Sequence, residues 1–277
     1  MEKIKKTLVT LGLWLGIQII VLLTFKVISV YNHTDFNSTM AQMLLISDGL
    51  IAISLIILRY CKIREMFTLV PKEAFVLSLV MAISALFAFD MIFQVLNIPD
   101  IFEQQFLEMT KSWAGFIGVC LVGPIMEEIM MRRVIMTEIS KATGHVWWGI
   151  IISAAIFAVI HGNPIQMVFA LPAGIIFGWL YHKTGSLFVP ICIHIINNTI
   201  SFFALKFNLD LQISLYNTLG TIIFLVLTTI SVVSIIKIHA FYSDKAEQEV
   251  AIQEEPAIPE EKASSSKGTF SGDNYEK

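Results

Sequence analysis

The 277 residues are 56% hydrophobic and only 15% charged, against roughly 25% charged in an average soluble domain, so one water-soluble core would leave apolar surface uncovered and a bilayer is the fitting solvent. The net charge of −3 comes from the C-terminus: Asp244 to Lys277 carries nine acidic and four basic side chains, leaving 13 acidic and 15 basic in the rest of the chain. No basic stripe argues for nucleic acid, and Cys61, Cys120 and Cys192 stand far apart in or beside apolar runs, without a CxxC pair or a disulfide framework.

From the N-terminus, a basic start, Met1-Glu-Lys-Ile-Lys-Lys, leads into an apolar run from Thr7 to Val30. The run has the length of a membrane span, and no small-x-small cleavage site follows it, so a retained first helix is expected rather than a signal peptide. Seven more apolar stretches follow, at about 40–60, 74–96, 112–131, 146–161, 165–182, 187–205 and 214–237. The fifth and sixth are short for a ~30 Å hydrocarbon core. The expected fold is therefore all-α: a polytopic membrane protein of about eight helices.

Lys and Arg concentrate in alternate connections. Lys3, Lys5 and Lys6 precede the first helix, and Arg59, Lys62, Arg64 and Lys72 follow the second. Arg132, Arg133 and Lys141 follow the fourth, Lys183 follows the sixth, and Lys237 ends the eighth. This asymmetry predicts a multi-pass protein of the cell membrane with both termini cytoplasmic. The connection holding Ile101, Phe102 and Phe106 is either amphipathic and surface-lying or an ordinary polar loop. From Asp244 the chain is rich in Glu, Ser and Lys with Pro256 and Pro259, which predicts a disordered tail. The organisation expected is helices one to three in 1–111, a core in 112–205, a last helix in 206–243 and an acidic cytoplasmic tail in 244–277.

Polar residues inside apolar runs carry the functional signal, because an ionised side chain at a helix centre costs roughly 2.5–3.5 kcal/mol on insertion scales. In Gly123-Pro-Ile-Met-Glu127-Glu128-Ile-Met-Met-Arg132-Arg133, Glu128 and Arg132 are four apart on one face, acid before base, the favoured order for an ion pair. Glu127 points about 100° away and needs no neutralisation by Arg132. Either this is the wet cytoplasmic end of helix four, or Glu127 is a general base beside a structural pair. His161 ends the apolar run Phe157-Ala-Val-Ile-His161, and Gly162-Asn-Pro then breaks the helix. His194 and Asn198 share a face of helix seven. They either glue helices together or offer two donors to a developing oxyanion. His33, His145, His182 and His239 sit at ends or in loops. Asp48, Asp90 and Lys26 fall in or near spans, and Asp90 lies deep in helix three without a local partner in the sequence.

Taken together, Glu127-Glu128-Ile-Met-Met-Arg132, Phe157-Ala-Val-Ile-His161 and His194-Ile-Ile-Asn197-Asn198 resemble the Glu-Glu-x-x-x-Arg, Phe-x-x-x-His and His-x-x-x-Asn motifs of the CPBP family. These are the CAAX-protease and bacteriocin-processing, or Abi-like, membrane peptidases. The segment Gly178-Trp-Leu-Tyr-His-Lys-Thr-Gly185 is similar to that family's stretch before the last motif, and the resemblance covers about 112–205. It implies a bacterial-type intramembrane endopeptidase with its catalytic residues on helices four, five and seven. Glu127 and His161 would activate water, and His194 and Asn198 would hold the oxyanion. Arg132 and Glu128 would support the site, with Glu128 open to a share of the catalysis. A peptide or membrane-protein substrate and surrounding lipid are the implied partners.

Metal dependence is open at this level. Glu127, His161 and His194 form a donor set for Zn²⁺ with a free position for water. A metal-free Glu/His pair fits the same residues, and the lack of His-Glu-x-x-His leans toward it. Two other readings compete with a peptidase. One is a non-catalytic membrane partner, such as an immunity or regulatory protein of the same fold. The other is a transporter with a proton relay, for which no inverted repeat or pair of broken helices is visible. The peptidase reading makes one geometric demand. On straight helices His194 lies near 10 Å from the cytoplasmic edge and His161 over 20 Å, yet Glu127, His161, His194 and Asn198 must meet in one water-accessible pocket.

Overall fold

The computed structural model describes residues 4–209 and 215–254. Apolar runs fold as helices in lipid because a helix satisfies its own backbone polar groups, and eight such helices are present. We label them α1 (Lys5–Asn32), α2 (Met40–Ile57), α3 (Lys72–Gln94), α4 (Trp113–Thr143), α5 (Val146–Ile160), α6 (Pro164–Thr184), α7 (Phe188–Lys206) and α8 (Thr218–Glu254). Seven are long and apolar enough to cross a membrane, and α5, with 15 residues, is shorter. Among the described residues no strand occurs. The chain is thus an all-helical, multi-pass membrane protein.

Local chemistry sets several ends. Ser112 accepts a hydrogen bond from the Gly115 N–H (3.0 Å) at the start of α4. Pro164 opens α6, and Gly144 and Gly185 close α4 and α6 in the left-handed conformation (φ 73° and 64°). Two ends differ from expectation. Helix α4 does not stop near 131 but continues to Thr143, because Glu128 and Arg132 neutralise each other inside the protein and mark no membrane edge. Arg132 is therefore not a loop cation. Helix α8 continues to Glu254, so the first residues of the expected tail are helical; 255–277 lie outside the described residues.

Hydrogen bonds tie alternate connections together at each end. The Glu138 carboxylate near the end of α4 accepts from the backbone N–H groups of Lys6 and Thr7 at the start of α1. Ser186, between α6 and α7, donates to the Thr68 carbonyl between α2 and α3. At the opposite end, Asn163 joins the α5–α6 turn to the α3–α4 connection: its Nδ2 donates to Asp100 Oδ1 (2.7 Å), and its Oδ1 accepts from the Ile101 N–H (3.3 Å).

Helix α4 is the most buried of the seven long helices. One apolar cluster joins α2, α4, α5 and α7 through Ile51, Met126, Ile129, Phe157 and Ile191, and a second joins α3, α6, α7 and α8 through Met81, Phe177, Ile193 and Ile238. Helices α5 and α6 approach closely where Gly174 faces Ala154; a Cβ there would stand 2.9 Å from the Ala154 Cβ. Small residues at such crossings let membrane helices pack without a hydrophobic drive between them. Large apolar side chains of α1 and α8, such as Leu23 and Ile236, remain exposed, as lipid-facing positions require.

Candidate active site

The length of α4 brings Glu128 and His161 to one depth, and the contact of His194 Nδ1 with Glu128 places His194 there as well. Glu128 precedes the Gly144 turn by about as many residues as His161 follows it. Each arm of the α4–α5 hairpin is therefore about 22 Å long at 1.5 Å per residue, and the two side chains return to one level. The break after α5 is anchored at Asn163, while Gly162 itself is exposed. Gly162 takes φ 64°, which a glycine adopts without strain, and Asn163 is fully buried against the 100–101 connection. Irregular backbone at membrane depth is tolerated where protein encloses it, as at Asn163.

Helix α4 is irregular around its carboxylates: Gly118–Val122 and Ile129–Met136 are π-helical, with α-helical Gly123–Glu128 between them. Such segments are rare and concentrate at functional sites. Pro124 explains the first. It lacks an N–H and its ring clashes with the carbonyl four residues back. The Gly123 N–H bonds to Gly118 O, and the Val119 carbonyl then accepts from Asn198 Nδ2 of α7 (3.0 Å).

Within this frame Glu128 and Arg132 are fully buried, with Arg132 Nε donating to Glu128 Oε2 at 2.8 Å. The other oxygen, Glu128 Oε1, lies 3.0 Å from His194 Nδ1. A carboxylate only accepts, so His194 carries a proton on Nδ1. Its Nε2 lies 3.5 Å from Glu127 Oε2, an ion-pair distance at the edge of hydrogen-bond reach. His194 therefore bridges both glutamates. His161 Nδ1 lies 2.7 Å from the Phe157 carbonyl, which also only accepts. That bond fixes the Nδ1–H tautomer and leaves the Nε2 lone pair free.

The aromatic residues have a defined place. The Arg132 guanidinium lies over Phe157 (5.2 Å) and Phe177 (5.9 Å), and its Nη1 and Nη2 have no hydrogen-bond partner. Ring quadrupoles thus face the part of the cation that Glu128 does not reach. Phe157 also meets His161 and His194 edge-on, at 4.8 and 5.8 Å between centroids.

Glu127, His161, His194 and Asn198 line one cavity of about 800 Å³. Glu127 keeps 20% of its side chain exposed, whereas Glu128 and Arg132 do not line the cavity. The structure thus brings together the residues singled out in sequence and divides them: Glu127 at the water-accessible wall, Glu128 and Arg132 behind it. It adds residues that local spacing did not place. Asp48 of α2 lines the cavity and is 2% exposed; an acid in mid-span was its only sequence signal. Phe177 carried none, and Asn163 only its place in the Gly162-Asn-Pro break. Asp90 lies at the same cavity, exposed and bonded to Gln94. His33, His145, His182 and His239 are exposed, as expected.

For a metal, Glu127, His161 and His194 are the donors to test. His161 has a free Nε2, but His194 is engaged by a carboxylate at each nitrogen. Among the described residues no three His, Cys, Asp or Glu side chains group closely enough to hold an ion. The arrangement does not fit a three-ligand site, and no chemical step below runs through a metal.

The fold and cavity define a class: a multi-pass helical membrane protein with a carboxylate–imidazole cluster buried at mid-depth. The comparisons narrow it. Residues 109–200 match the family described as type II CAAX prenyl endopeptidase Rce1-like. The chain is 34% identical over 79 residues to "Putative membrane peptidase YdiL" of Bacillus subtilis (strain 168), an alignment covering 28% of this chain and 32% of that relative. The chain thus matches about a third of the relative's length. No solved structure matches it. The three motifs that carry the resemblance all fall within the stretch that matches this Rce1-like family model.

Proposed function

We propose that the protein is an intramembrane endopeptidase that hydrolyses a peptide bond of a membrane-associated protein or peptide. The observation that carries this reading is the lining of one cavity by Glu127, His161, His194 and Asn198, within the segment that matches the peptidase family. Glu127 is the carboxylate open to the cavity, and His161 has a free Nε2 lone pair; both can take a proton from water. The water oxygen attacks the carbonyl carbon, and its proton passes to Glu127 or His161. In its doubly protonated form His194 donates Nδ1–H to Glu128, and its Nε2–H, which faces Glu127 at 3.5 Å, turns to the developing oxyanion once Glu127 has taken the proton of the water. The second N–H of the Asn198 amide is available beside it, the first being held by Val119. Collapse of the tetrahedral intermediate breaks the C–N bond, and the stored proton goes to the leaving amine. Glu128 and Arg132 hold His194 in orientation, a positioning task.

The test is a comparison of membrane and secreted peptide termini from cells making the wild type or Glu127→Ala at matched levels. Termini that vanish with Glu127 support the reading and name the substrate. Normal cleavage by the variant overturns it. Identical termini with a folded protein favour the non-catalytic partner.

A further inference from the structure

The cavity wall is acidic on one side only of the charge balance. Asp48, Asp90, Asp100 and Glu127 line it, and among the described lining residues there is no Lys or Arg. Acids alone would not define a ligand, and three of these have protein partners: Asp90 accepts from Gln94 (2.6 Å), Asp100 from Asn163 (2.7 Å), and Glu127 faces His194 Nε2 (3.5 Å). Asp48 differs. It is 2% exposed, yet its one hydrogen bond is a 3.5 Å contact from Gln18 Nε2 to Oδ1, and Oδ2 has none among the described residues. A buried carboxylate without a counter-charge is costly unless something pairs with it.

Its position is specific. A Cβ on Gly123 would stand 3.5 Å from Asp48 Oδ2. Gly123 lies one turn before Glu127 on the same face of α4. A Cβ there would be in ordinary contact with the carboxylate, so Asp48 packs against α4 at Gly123, about 6 Å along the helix from the proposed base. Asp48 comes from α2, outside the stretch that matches the peptidase family, so it is a property of this chain rather than of the matched segment.

We propose that Asp48 is the specificity residue of the site and that it receives a cation of the substrate, a Lys or Arg side chain or a free α-ammonium, next to the scissile bond. This inference rests on the peptidase reading. The shared chemistry is an ammonium or guanidinium entering a cavity whose charged wall is acidic. Pairing with Asp48 would supply the missing counter-charge and would discriminate against peptides with Glu or a free carboxylate at that point. A cut that leaves a short C-terminal fragment with its carboxylate in the cavity is disfavoured by the same wall, which has no cation to meet it.

The experiment uses the full chain in lipid nanodiscs, with Glu127→Gln to prevent turnover, and fluorescent apolar decapeptides that differ at one central position. That residue is Lys, Arg, norleucine or Glu, each with a free or acetylated N-terminus. The expected result is at least fivefold tighter binding of the Lys and Arg peptides than of the norleucine peptide, with Glu weakest. If the α-ammonium is the source, the preference follows the free N-terminus instead. Asp48→Asn should bring the ratios to about one, and Asp48→Glu should restore them, which a folding defect would not. Equal binding of all peptides, binding of none, or a preference unchanged in Asp48→Asn overturns the proposal. Cleavage of the same peptides by protein with Glu127 intact reports separately on the peptidase reading, so one can fail while the other stands.

Discussion

Replacing Arg132 by Met removes the cation that neutralises Glu128 and leaves that carboxylate fully buried with His194 as its remaining partner. Breaking a buried pair from one side costs about 3–5 kcal/mol, and loss of the stacking on Phe157 and Phe177 adds about 0.5–2 kcal/mol. Glu128→Leu strands Arg132 instead and should cost a similar ~3–5 kcal/mol. The double change Glu128→Leu with Arg132→Met strands no charge. It leaves one unmet donor, His194 Nδ1, at about 1–3 kcal/mol, so the double variant should be less destabilised than either single variant and the cycle strongly non-additive. Arg132→Lys keeps the charge but loses the planar guanidinium that lies over both rings and should not rescue fully. Equilibrium unfolding in mixed detergent micelles measures each value. A single-variant cost under about 1 kcal/mol, the range of an exposed pair, or an additive cycle would refute the buried-pair argument.

The bridge between the α3–α4 and α5–α6 connections is equally open to test. Asp100→Ala leaves the buried Asn163 amide without its acceptor, at about 1–3 kcal/mol; a cysteine at Ile165, on the cavity wall, should then react several-fold faster with a charged thiol reagent, in a background lacking the three native cysteines. Membrane orientation follows from the Lys/Arg bias. Cysteines replacing Asp35 or Glu103 should react with an impermeant maleimide in intact cells, and one replacing Lys141 only after permeabilisation; the reverse pattern would invert the topology.

Much of the fold was legible because the bilayer imposes a length on each apolar run, and the eight runs became eight helices. The end of α4 was not legible, for a physical reason. Hydropathy counts Glu128 and Arg132 as two charges, but the pair is buried and neutral overall, so α4 continues for three more turns. Spacing of four residues exposed the Glu128–Arg132 pair within one helix. It could not reveal that His194, 66 residues on, joins the same carboxylate, because that contact depends on how α7 packs on α4. Asp48 was visible as an acid in a span and unreadable in role for the same reason.

Asn198 shows how a structural and a chemical duty can be separated. Its Nδ2 satisfies the Val119 carbonyl, which is left over because Pro124, five residues on, has no N–H to give. Proline followed by a continuing helix was the sequence signal for that vacancy. Asn198→Ala removes the donor and should cost about 1–3 kcal/mol for the orphaned buried carbonyl, along with any contribution to the oxyanion. Pro124→Ala returns a backbone N–H within reach of Val119 O. The double variant should therefore recover most of the lost stability in the same unfolding assay. Cleavage should stay low, since a restored backbone bond supplies no donor to the cavity; loss of one oxyanion donor costs on the order of 10²–10³ in turnover. Recovery of both stability and cleavage would mean that Asn198 only props α4 and that His194 alone faces the oxyanion.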